Sequence, residues 1–418
     1  MVVAETLPSG LRLVTEQMPH VRSVTVGVWL ARGSRHESDA ESGVAHFVEH
    51  MLFKGTTSRS AREIAQTIDS IGGQLDAFTA KEYASYYVKV LDEHLPVALD
   101  LLSDLVMRPA LAPADVAREQ SVILEEIKMV EDAPDDLVHE LFAQQFWSRH
   151  PLGRPILGTP ETVGALTADE LRKYFTTTYV APHFVVAAAG HFEHDRLREL
   201  IEKAFANMPS ATPAGVTAPP AMTPGVMSRV KDIEQSHLCI GTPAYHNAHA
   251  DRHAIYVLNT ILGGSMSSRL FQHIREDRGL AYAVFSHLTT YTDAGMLTVY
   301  AGCATEKVDQ VIDLTLQELR TLRDAEVPAE ELRRAKDHLK GSLMLGLEST
   351  SSRMSHLARQ ELFFRRHVTL DEMLANIEAV NADDVQRVAR DLFVEGRLAA
   401  TMVGPESSIQ LSSDRLRI

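Results

Sequence analysis

The sequence predicts a duplicated fold of mixed α and β layers, and three observations indicate it. Segments of the first half recur 210 to 215 residues later, which is typical of an internal duplication. Residues 207–225 contain five prolines and no charged residue, as expected of an extended linker between two folded units. Short β-rich segments alternate with longer helical patterns in each half, which favours layered α and β structure. The recurring pairs are "TADELRKYF" at 167 with "NADDVQRVA" at 381, "PADVAR" at 113 with "PAEELR" at 328, and "HFVEHML" at 46 with "YVLNTIL" at 256.

The elements follow from local patterns taken in chain order. Residues 22–31 and 84–91 are rich in β-branched and aromatic residues and predict strands. Residues 43–53 and 113–131 have helical periodicity. We therefore expect an N-terminal domain over 1–206, a linker over 207–225 and a C-terminal domain over 226–418.

Composition narrows the class of protein. With 418 residues, of which 45% are hydrophobic, the chain is long enough for two or three globular units. Its formal charge of -15 argues against nucleic acid as a partner. The longest apolar run, 184–190, is too short to span a bilayer, and no leader segment precedes the first strand, so neither a membrane nor export is expected. Two cysteines fit the reducing cytoplasm, here of a bacterium, and whether Cys239 and Cys303 pair is left open.

The stretch "GVAHFVEHMLF", residues 43–53, places His46, Glu49 and His50 among apolar residues. Apolar residues on every side predict a helix that is buried all round. His46 and His50 are four residues apart and share a helical face, with Glu49 beside them. Imidazole nitrogens are typical zinc ligands, and an unligated carboxylate nearby can take a proton from a zinc-activated water. His-x-x-Glu-His is the inverzincin signature, and the alternative is a pair of core histidines satisfied by hydrogen bonds.

A catalytic zinc needs a third protein ligand, and the predicted helix over 113–131 offers three glutamates. Helical phase places Glu126 on the apolar face and Glu125 on the charged face. Glu126 is therefore the predicted ligand. Glu119 lies two turns earlier on the same face, where it orients a ligand or pairs with an arginine or lysine. The apolar neighbours of Glu126 are Val122, Ile123 and Val130, and the polar neighbours of Glu125 are Arg118, Ser121 and Lys128.

On these motifs the chain resembles the pitrilysin or insulinase family of zinc peptidases, and within it the short-chain group of the mitochondrial processing peptidase. The resemblance includes "GSRHE", "GVAHFVEHMLFKGT", "GGQLDAFTAKEYASYY", "EQSVILEEI" and "REDRGLAY" in family order. It implies an α+β fold of two homologous domains, each a mostly antiparallel sheet layered with helices. It also implies one zinc ion per chain, held by His46, His50 and Glu126, with Glu49 as the base and Glu119 as a further functional acid.

The second half does not repeat the metal-binding residues. At the positions opposite the ligands and the base it has Tyr256, Asn259, Thr260 and Gly341. The resemblance implies a chamber between two such chains, in which Arg275 and Tyr282 of the facing chain bind substrate and support catalysis. We therefore expect a homodimer, with a heterodimer containing an inactive relative as the alternative. A surface salt bridge for Arg275 and a core position for Tyr282 form the structural alternative.

Peptide substrates are expected to bind at "GGQLDAFTA", residues 72–80. Two glycines precede a short predicted strand, and a peptide can extend a free strand edge through backbone hydrogen bonds. Asp76, Ala77 and Phe78 are the predicted substrate-binding residues, with Phe78 lining a pocket. Family members often carry asparagine at position 76, so Asp76 either clamps the peptide or selects basic substrates. A hairpin turn that enters a core strand is the alternative.

The sequence thus predicts a zinc-dependent metalloendopeptidase that hydrolyses peptides or unfolded segments in an enclosed chamber. Two rivals belong to other classes of protein. One is a non-catalytic scaffold, like the core subunits of respiratory complexes that resemble these peptidases, and the other is a peptide-binding module. Such scaffolds have usually lost ligands, whereas this chain has the full set, which favours the enzyme.

Overall fold

The computed structural model describes residues 2–210, 218–406 and 411–418, which divide into two compact units. The first unit joins the chain up to Lys128, the segment that starts at Arg154, and Gly346–His367. The second joins Met129–Gly153, Ala218–Leu345 and Val368–Ile418. Residues 211–217 of the predicted linker lie outside the described residues, and the domain boundaries at 206 and 226 stay a prediction.

Each unit is built on one β-sheet. The strands of the first unit are β1 (Val2–Thr6), β2 (Arg12–Gln17), β3 (Ser23–Leu30), β4 (Gln74–Thr79), β5 (Ala84–Leu91) and β6 (Phe184–Gly190). The strands of the second are β7 (Gly225–Val230), β8 (Gln235–Ala244), β9 (Ala281–Thr290), β10 (Gly295–Ala304) and β11 (Ala399–Gly404). The predicted strands over 22–31 and 84–91 are β3 and β5.

The two sheets share one topology. The first has the order β1-β2-β6-β3-β5-β4 and the second β7-β11-β8-β10-β9, so they match strand for strand once β1 is set aside. Only the equivalent pairs β2–β6 and β7–β11 are parallel among the described strand pairs; the others are antiparallel. β6 is buried at every position, as expected of a central strand of small and β-branched residues. The predicted α+β fold with two homologous halves is therefore confirmed.

The helices continue this correspondence in chain order. The first half contains α1 (Val44–Leu52), α2 (Ala61–Ser70), α3 (Leu95–Met107), α4 (Pro113–Asp132), α5 (Pro134–Phe146), α6 (Pro160–Ala165), α7 (Ala168–Thr178) and α8 (His194–Ala204). The second half contains α9 (Arg252–Leu262), α10 (Val308–Asp324), α11 (Ala329–Gly346), α12 (Thr350–Phe364), α13 (Leu370–Ala379) and α14 (Ala382–Leu392). The recurring segments that begin at residues 46, 113 and 167 thus fall on the helix pairs α1/α9, α4/α11 and α7/α14.

One helix from each half of the chain packs on the sheet formed by the other half. α12 packs on β2, β3 and β6 in the first unit, and α5 packs on β8 and β11 in the second. A glycine makes room for each helix. A Cβ on Gly27 of β3 would lie 2.7 Å from Met354 Sδ, and one on Gly241 of β8 would lie 2.7 Å from Phe142. Sequence periodicity contained no signal for this exchange.

Each sheet has its main apolar core on the opposite face. In the first unit α1, α3, α7 and α8 contribute to that core, and in the second α9, α10 and α14 do. Cys239 and Cys303 are both buried and free. Among the described helices we find none with the length and apolarity needed to cross a bilayer.

Candidate metal centre

Helix α1 begins at Val44 through a cap that comes from outside the helix. Gly43 has φ of +96°, and a Cβ there would lie 2.7 Å from the carbonyl oxygen of Leu157, so glycine is required. The backbone N–H groups of Gly43 and Ala45 donate to the two oxygens of the Glu37 carboxylate at 2.9 and 2.8 Å. A carboxylate at this position also complements the positive end of the helix dipole. The start of the helix is thereby held in place.

One face of α1 is half-buried while the rest is in the core. The half-buried residues of this helix are His46, Glu49 and His50, whereas its apolar residues are buried. The interpretation of a helix buried all round is therefore wrong. The apolar positions cover most of the helix, and the three polar residues, within little more than one turn, leave one face open to a site.

The structure brings His46, His50 and Glu126 together, the last from α4. Their ligand atoms all lie within 4.8 Å of one another. Glu126 Oε2 is 3.8 Å from His46 Nε2 and 3.6 Å from His50 Nε2. These separations are too long for hydrogen bonds. They are close to the roughly 3.3–3.6 Å between neighbouring ligands of a tetrahedral zinc ion with bonds of about 2.0–2.2 Å.

The chemistry of this group suits zinc. Burial, and next the nearby His50, lower the pKa of His46 to about 4, so its imidazole is neutral at pH 7, the form that binds metals. Two imidazoles and a carboxylate are the donor set of many catalytic zinc sites, which leave one position open. The Nδ1 atom of His46 is buried without a hydrogen-bond partner among the described residues. The residues present therefore fit the ion that the sequence predicted.

Helical phase was informative for α4. Glu125 is exposed and pairs with Lys128 at 2.7 Å, as predicted for the charged face. Ile123 on the other face is fully buried. Val122 is exposed, contrary to the prediction, so the buried face of α4 is narrower than its periodicity indicated.

Glu119 bridges His50 and a lysine that sequence reasoning missed. Its Oε2 atom lies 3.2 Å from His50 Nδ1, and its Oε1 atom forms an ion pair with Lys54 Nζ at 2.8 Å. A carboxylate accepts hydrogen bonds, so His50 Nδ1 is the donor of this contact and Nε2, which faces Glu126, is the nitrogen placed to bind a metal. Lys54 lies four residues after His50, and this spacing is the sequence feature that could have indicated that the two share a partner.

Glu49 is outside the group of potential ligands and has a partner on β4. The hydroxyl of Thr79 donates to Glu49 Oε2. Burial raises the pKa of the Glu49 carboxyl, while the hydrogen bond from Thr79 and the nearby His50 oppose the rise. Sequence reasoning missed Thr79 as well, because nothing local shows which strand lies beside α1.

The pleat of β4 divides the predicted substrate-binding residues between two faces. Ala77, like Thr79, lies on the face toward α1. Asp76 accepts a hydrogen bond from the Tyr87 hydroxyl at 2.9 Å, and Phe78 packs 5.6 Å from Trp29, both on the face covered by α12. Among the described strands β4 pairs with β5 alone, so no strand in that part of the chain occupies its other edge. The backbone of residues 74–79 is thus available for pairing.

Arg275 and Tyr282 lie together in the second unit. The guanidinium of Arg275 is 5.5 Å from the centre of the Tyr282 ring and 4.7 Å from that of Phe271. Tyr282 is 79% exposed, so it is not a core tyrosine. Arg275 Nε also lies 3.7 Å from Glu276 Oε1 in a partly exposed ion pair, so the surface salt bridge expected as the alternative for Arg275 is present as well.

The second unit repeats one hydrogen bond of the metal centre, but between two residues that do not ionise. The hydroxyl of Ser286 on β9 donates to Asn259 Oδ1 on α9 at 2.8 Å. Asn259 stands opposite Glu49, and β9 is the counterpart of β4. The hydrogen bond between this helix and the edge strand therefore belongs to the fold in both units, and Glu49 adds an ionisable group to it.

The chain is similar to known proteins over nearly its whole length. Residues 12–160 match the family model described as Insulinase (Peptidase family M16), and residues 165–339 match the one described as Peptidase M16 inactive domain. The uncharacterized zinc protease YmxG of Bacillus subtilis is 43% identical over 98% of this chain and 100% of its own length. An uncharacterized zinc protease of Streptomyces coelicolor is 44% identical over 97% of this chain and 90% of its own length.

Two solved structures share the fold. A protease from Helicobacter pylori has a TM-score of 0.90 at 22% identity, over 97% of this chain and 99% of that one. A peptidase M16 inactive domain from Pseudomonas fluorescens has a TM-score of 0.89 at 20% identity, over 97% and 98% of the two chains.

Proposed function

Because this chain belongs to the insulinase family of peptidases, family M16, we propose that it is a zinc-dependent endopeptidase that cleaves extended peptides. The observation that carries the proposal is the convergence of His46, His50 and Glu126 on one point, with Glu49 beside them and outside the ligand group. We assign one zinc ion to each chain. The names of the relatives from Bacillus and Streptomyces support zinc and proteolysis at the level of the family.

When bound, zinc polarises the scissile carbonyl and lowers the pKa of a water molecule. Glu49 accepts the proton from the attacking water and passes it to the amide nitrogen that leaves. Thr79 holds the Glu49 carboxylate by its hydrogen bond, which fixes the oxygen that moves the proton. Glu119 orients His50. These roles use each polar group on the open face of α1.

Substrate is proposed to bind as an added strand on the free edge of β4. Backbone hydrogen bonds along residues 74–79 would accept many sequences, and the faces of the strand would discriminate among side chains. Asp76 is exposed, which favours basic residues in the substrate through charge. Specificity is therefore expected to be broad, with a preference for basic peptides.

Arg275 and Tyr282 are proposed to act on the metal centre of a second copy of this chain. The exposure of Tyr282 and the position of the Arg275 guanidinium over its ring suit groups that bind a peptide carbonyl and stabilise the developing oxyanion. A homodimer would then contain two complete sites, and a heterodimer with an inactive relative would contain one. The cytoplasm of a bacterium is the proposed setting.

The variant E49Q tests the proposal. It keeps the size of the side chain and removes the base, so zinc content should stay at one ion per chain while cleavage of an unstructured basic peptide falls at least about 1000-fold. E125Q is the matched control, because Glu125 is the exposed neighbour of Glu126 on α4 and pairs with the solvent-facing Lys128.

Three outcomes would overturn the proposal or part of it. Equal turnover by E49Q and the wild type would remove Glu49 as the base. A wild-type chain that binds no stoichiometric zinc, or that binds peptide and zinc without cutting, would favour the scaffold or the peptide-binding module.

A further inference from the structure

Lys54 lies at the end of α1 in a turn that the protein holds rigidly. Its backbone N–H donates to the carbonyl of Met51 at 3.2 Å. The residues that follow are clamped by Asp104 of α3, whose Oδ2 accepts hydrogen bonds from Thr56 and Ser58 at 2.7 Å each. The backbone that carries Lys54 therefore has little freedom.

The ammonium of Lys54 points back toward the metal centre. It lies 2.8 Å from Glu119 Oε1, and the other oxygen of that carboxylate contacts His50 Nδ1 at 3.2 Å. The Glu119 side chain is 8% exposed and that of Lys54 is 37% exposed. One carboxylate from α4 thus joins two basic groups that stand four residues apart at the end of α1.

A buried carboxylate needs a partner for each oxygen and a compensating charge. Among the residues that the structure describes, Lys54 is the lysine or arginine that forms an ion pair with Glu119. Glu49 and Glu126 bring further negative charge to the same region. Without the ammonium, Glu119 would keep a single partner and would be free to rotate about its side-chain torsions.

We propose that Lys54 is a positioning residue of the metal centre, which fixes the Glu119 carboxylate and, through it, the orientation of the His50 ring. The inference rests on the proposed function and assigns a role to a residue that reaches the three proposed ligands only through Glu119. Partners of ligating histidines typically contribute 10- to 100-fold in metal affinity. Lys54 acts one contact further out, so about 10-fold is expected.

The test measures zinc binding independently of catalysis. K54M, K54R and wild type compete with a chromophoric chelator for zinc, and each is also loaded with cobalt to record its ligand-field absorption. K54M should bind zinc about 10-fold more weakly and show shifted cobalt bands, because the His50 ring is no longer held. K54R should retain most of the affinity. If K54M does not fold, K54Q provides the same comparison with a polar side chain.

K128M is the matched control. Lys128 also pairs with a glutamate of α4 at 2.7 Å and loses the same charge, but its partner Glu125 faces solvent. Its zinc affinity should equal that of the wild type. An equal loss in K128M and K54M would show a general charge effect and would overturn the proposal.

A double variant tests whether Lys54 affects zinc binding through Glu119. If Lys54 acts through Glu119, then K54M/E119Q should bind zinc no more weakly than E119Q alone. Unchanged zinc affinity and unchanged cobalt bands in folded K54M would refute the positioning role while leaving the peptidase proposal intact. Absence of zinc binding by the wild type would instead refute the proposed function.

Discussion

Replacing Asp104 with Asn should destabilise the first unit by about 2–4 kcal/mol at pH 7. Asp104 is fully buried on α3, where its Oδ2 atom accepts from Thr56, Ser58 and Arg59 and its Oδ1 atom accepts from Arg108 at 2.8 Å. An asparagine retains one acceptor oxygen and turns its amide toward an N–H or O–H donor. Breaking a buried ionic network by removing one partner costs about 3–5 kcal/mol.

The pH dependence gives a second, independent magnitude. Burial alone would raise the pKa of Asp104, but the hydrogen bonds from Thr56, Ser58, Arg59 and Arg108 outweigh burial and lower it to about 2, from 3.8. A native pKa below the unfolded value corresponds to roughly 2 kcal/mol of stability for this buried carboxylate. Because the native pKa is the lower one, this stability is present above pH 3.8 and is lost as the pH falls through 2.

The assay is urea unfolding followed by tryptophan fluorescence. The chain has two tryptophans, Trp29 in the first unit and Trp147 in the second, so a W147F background reports on the first unit alone. The free energies of unfolding of D104N and its parent should differ most at pH 7. Because asparagine does not titrate, this difference should be smaller by about 1 kcal/mol at pH 3. D100N is the matched control: Asp100 also pairs with Arg59 but is mostly exposed, so its loss should cost roughly 0.5 kcal/mol or less.

A D104N protein within about 0.5 kcal/mol of its parent at pH 7, or a gap that widens at pH 3, would refute the reasoning. The result also concerns the metal centre, because the clamped turn carries Lys54. D104N should therefore weaken zinc binding, whereas D100N should not.

Three further predictions concern the site. T79V should lower kcat by about 10-fold with zinc content and KM little changed, and T79S should restore it, since only the hydroxyl holds Glu49; a loss shared by T79S would contradict this role. Removing zinc with a chelator should abolish peptide cleavage. It should also lower the free energy of unfolding reported by Trp29 fluorescence by about 2.7 kcal/mol, relative to protein with free zinc at 100 times Kd. Equal unfolding curves with and without the chelator would exclude a bound ion. Mixing inactive E49Q with inactive R275A should restore cleavage if Arg275 of one copy serves the site of the other, as rates measured after subunit exchange will show; no recovery in verified mixed dimers would place Arg275 elsewhere.

Part of the site could be predicted because it is local. His46 and His50 are four residues apart, so they share one face of α1 wherever that helix packs in the fold. The phase of α4 likewise separates Glu126 from Glu125. The duplication, the strands β3 and β5, and the absence of the ligand set from the second half follow from patterns of neighbouring residues as well.

The rest depends on contacts between residues far apart in the chain. No periodicity shows that Glu126 approaches His46 to 3.8 Å, that Thr79 reaches Glu49, or that Lys54 shares a carboxylate with His50. The exchange of α5 and α12 is equally hidden, since an apolar helix face is compatible with either sheet. The pleat that turns Phe78 away from α1 depends on the register of β4 against β5.

By itself, the sequence determined which residues share a helix face and which half of the chain carries the chemistry, because both are matters of short-range spacing. Only the tertiary structure decided which side chains meet across α1, α4 and β4, because packing and strand register join segments that no local pattern relates.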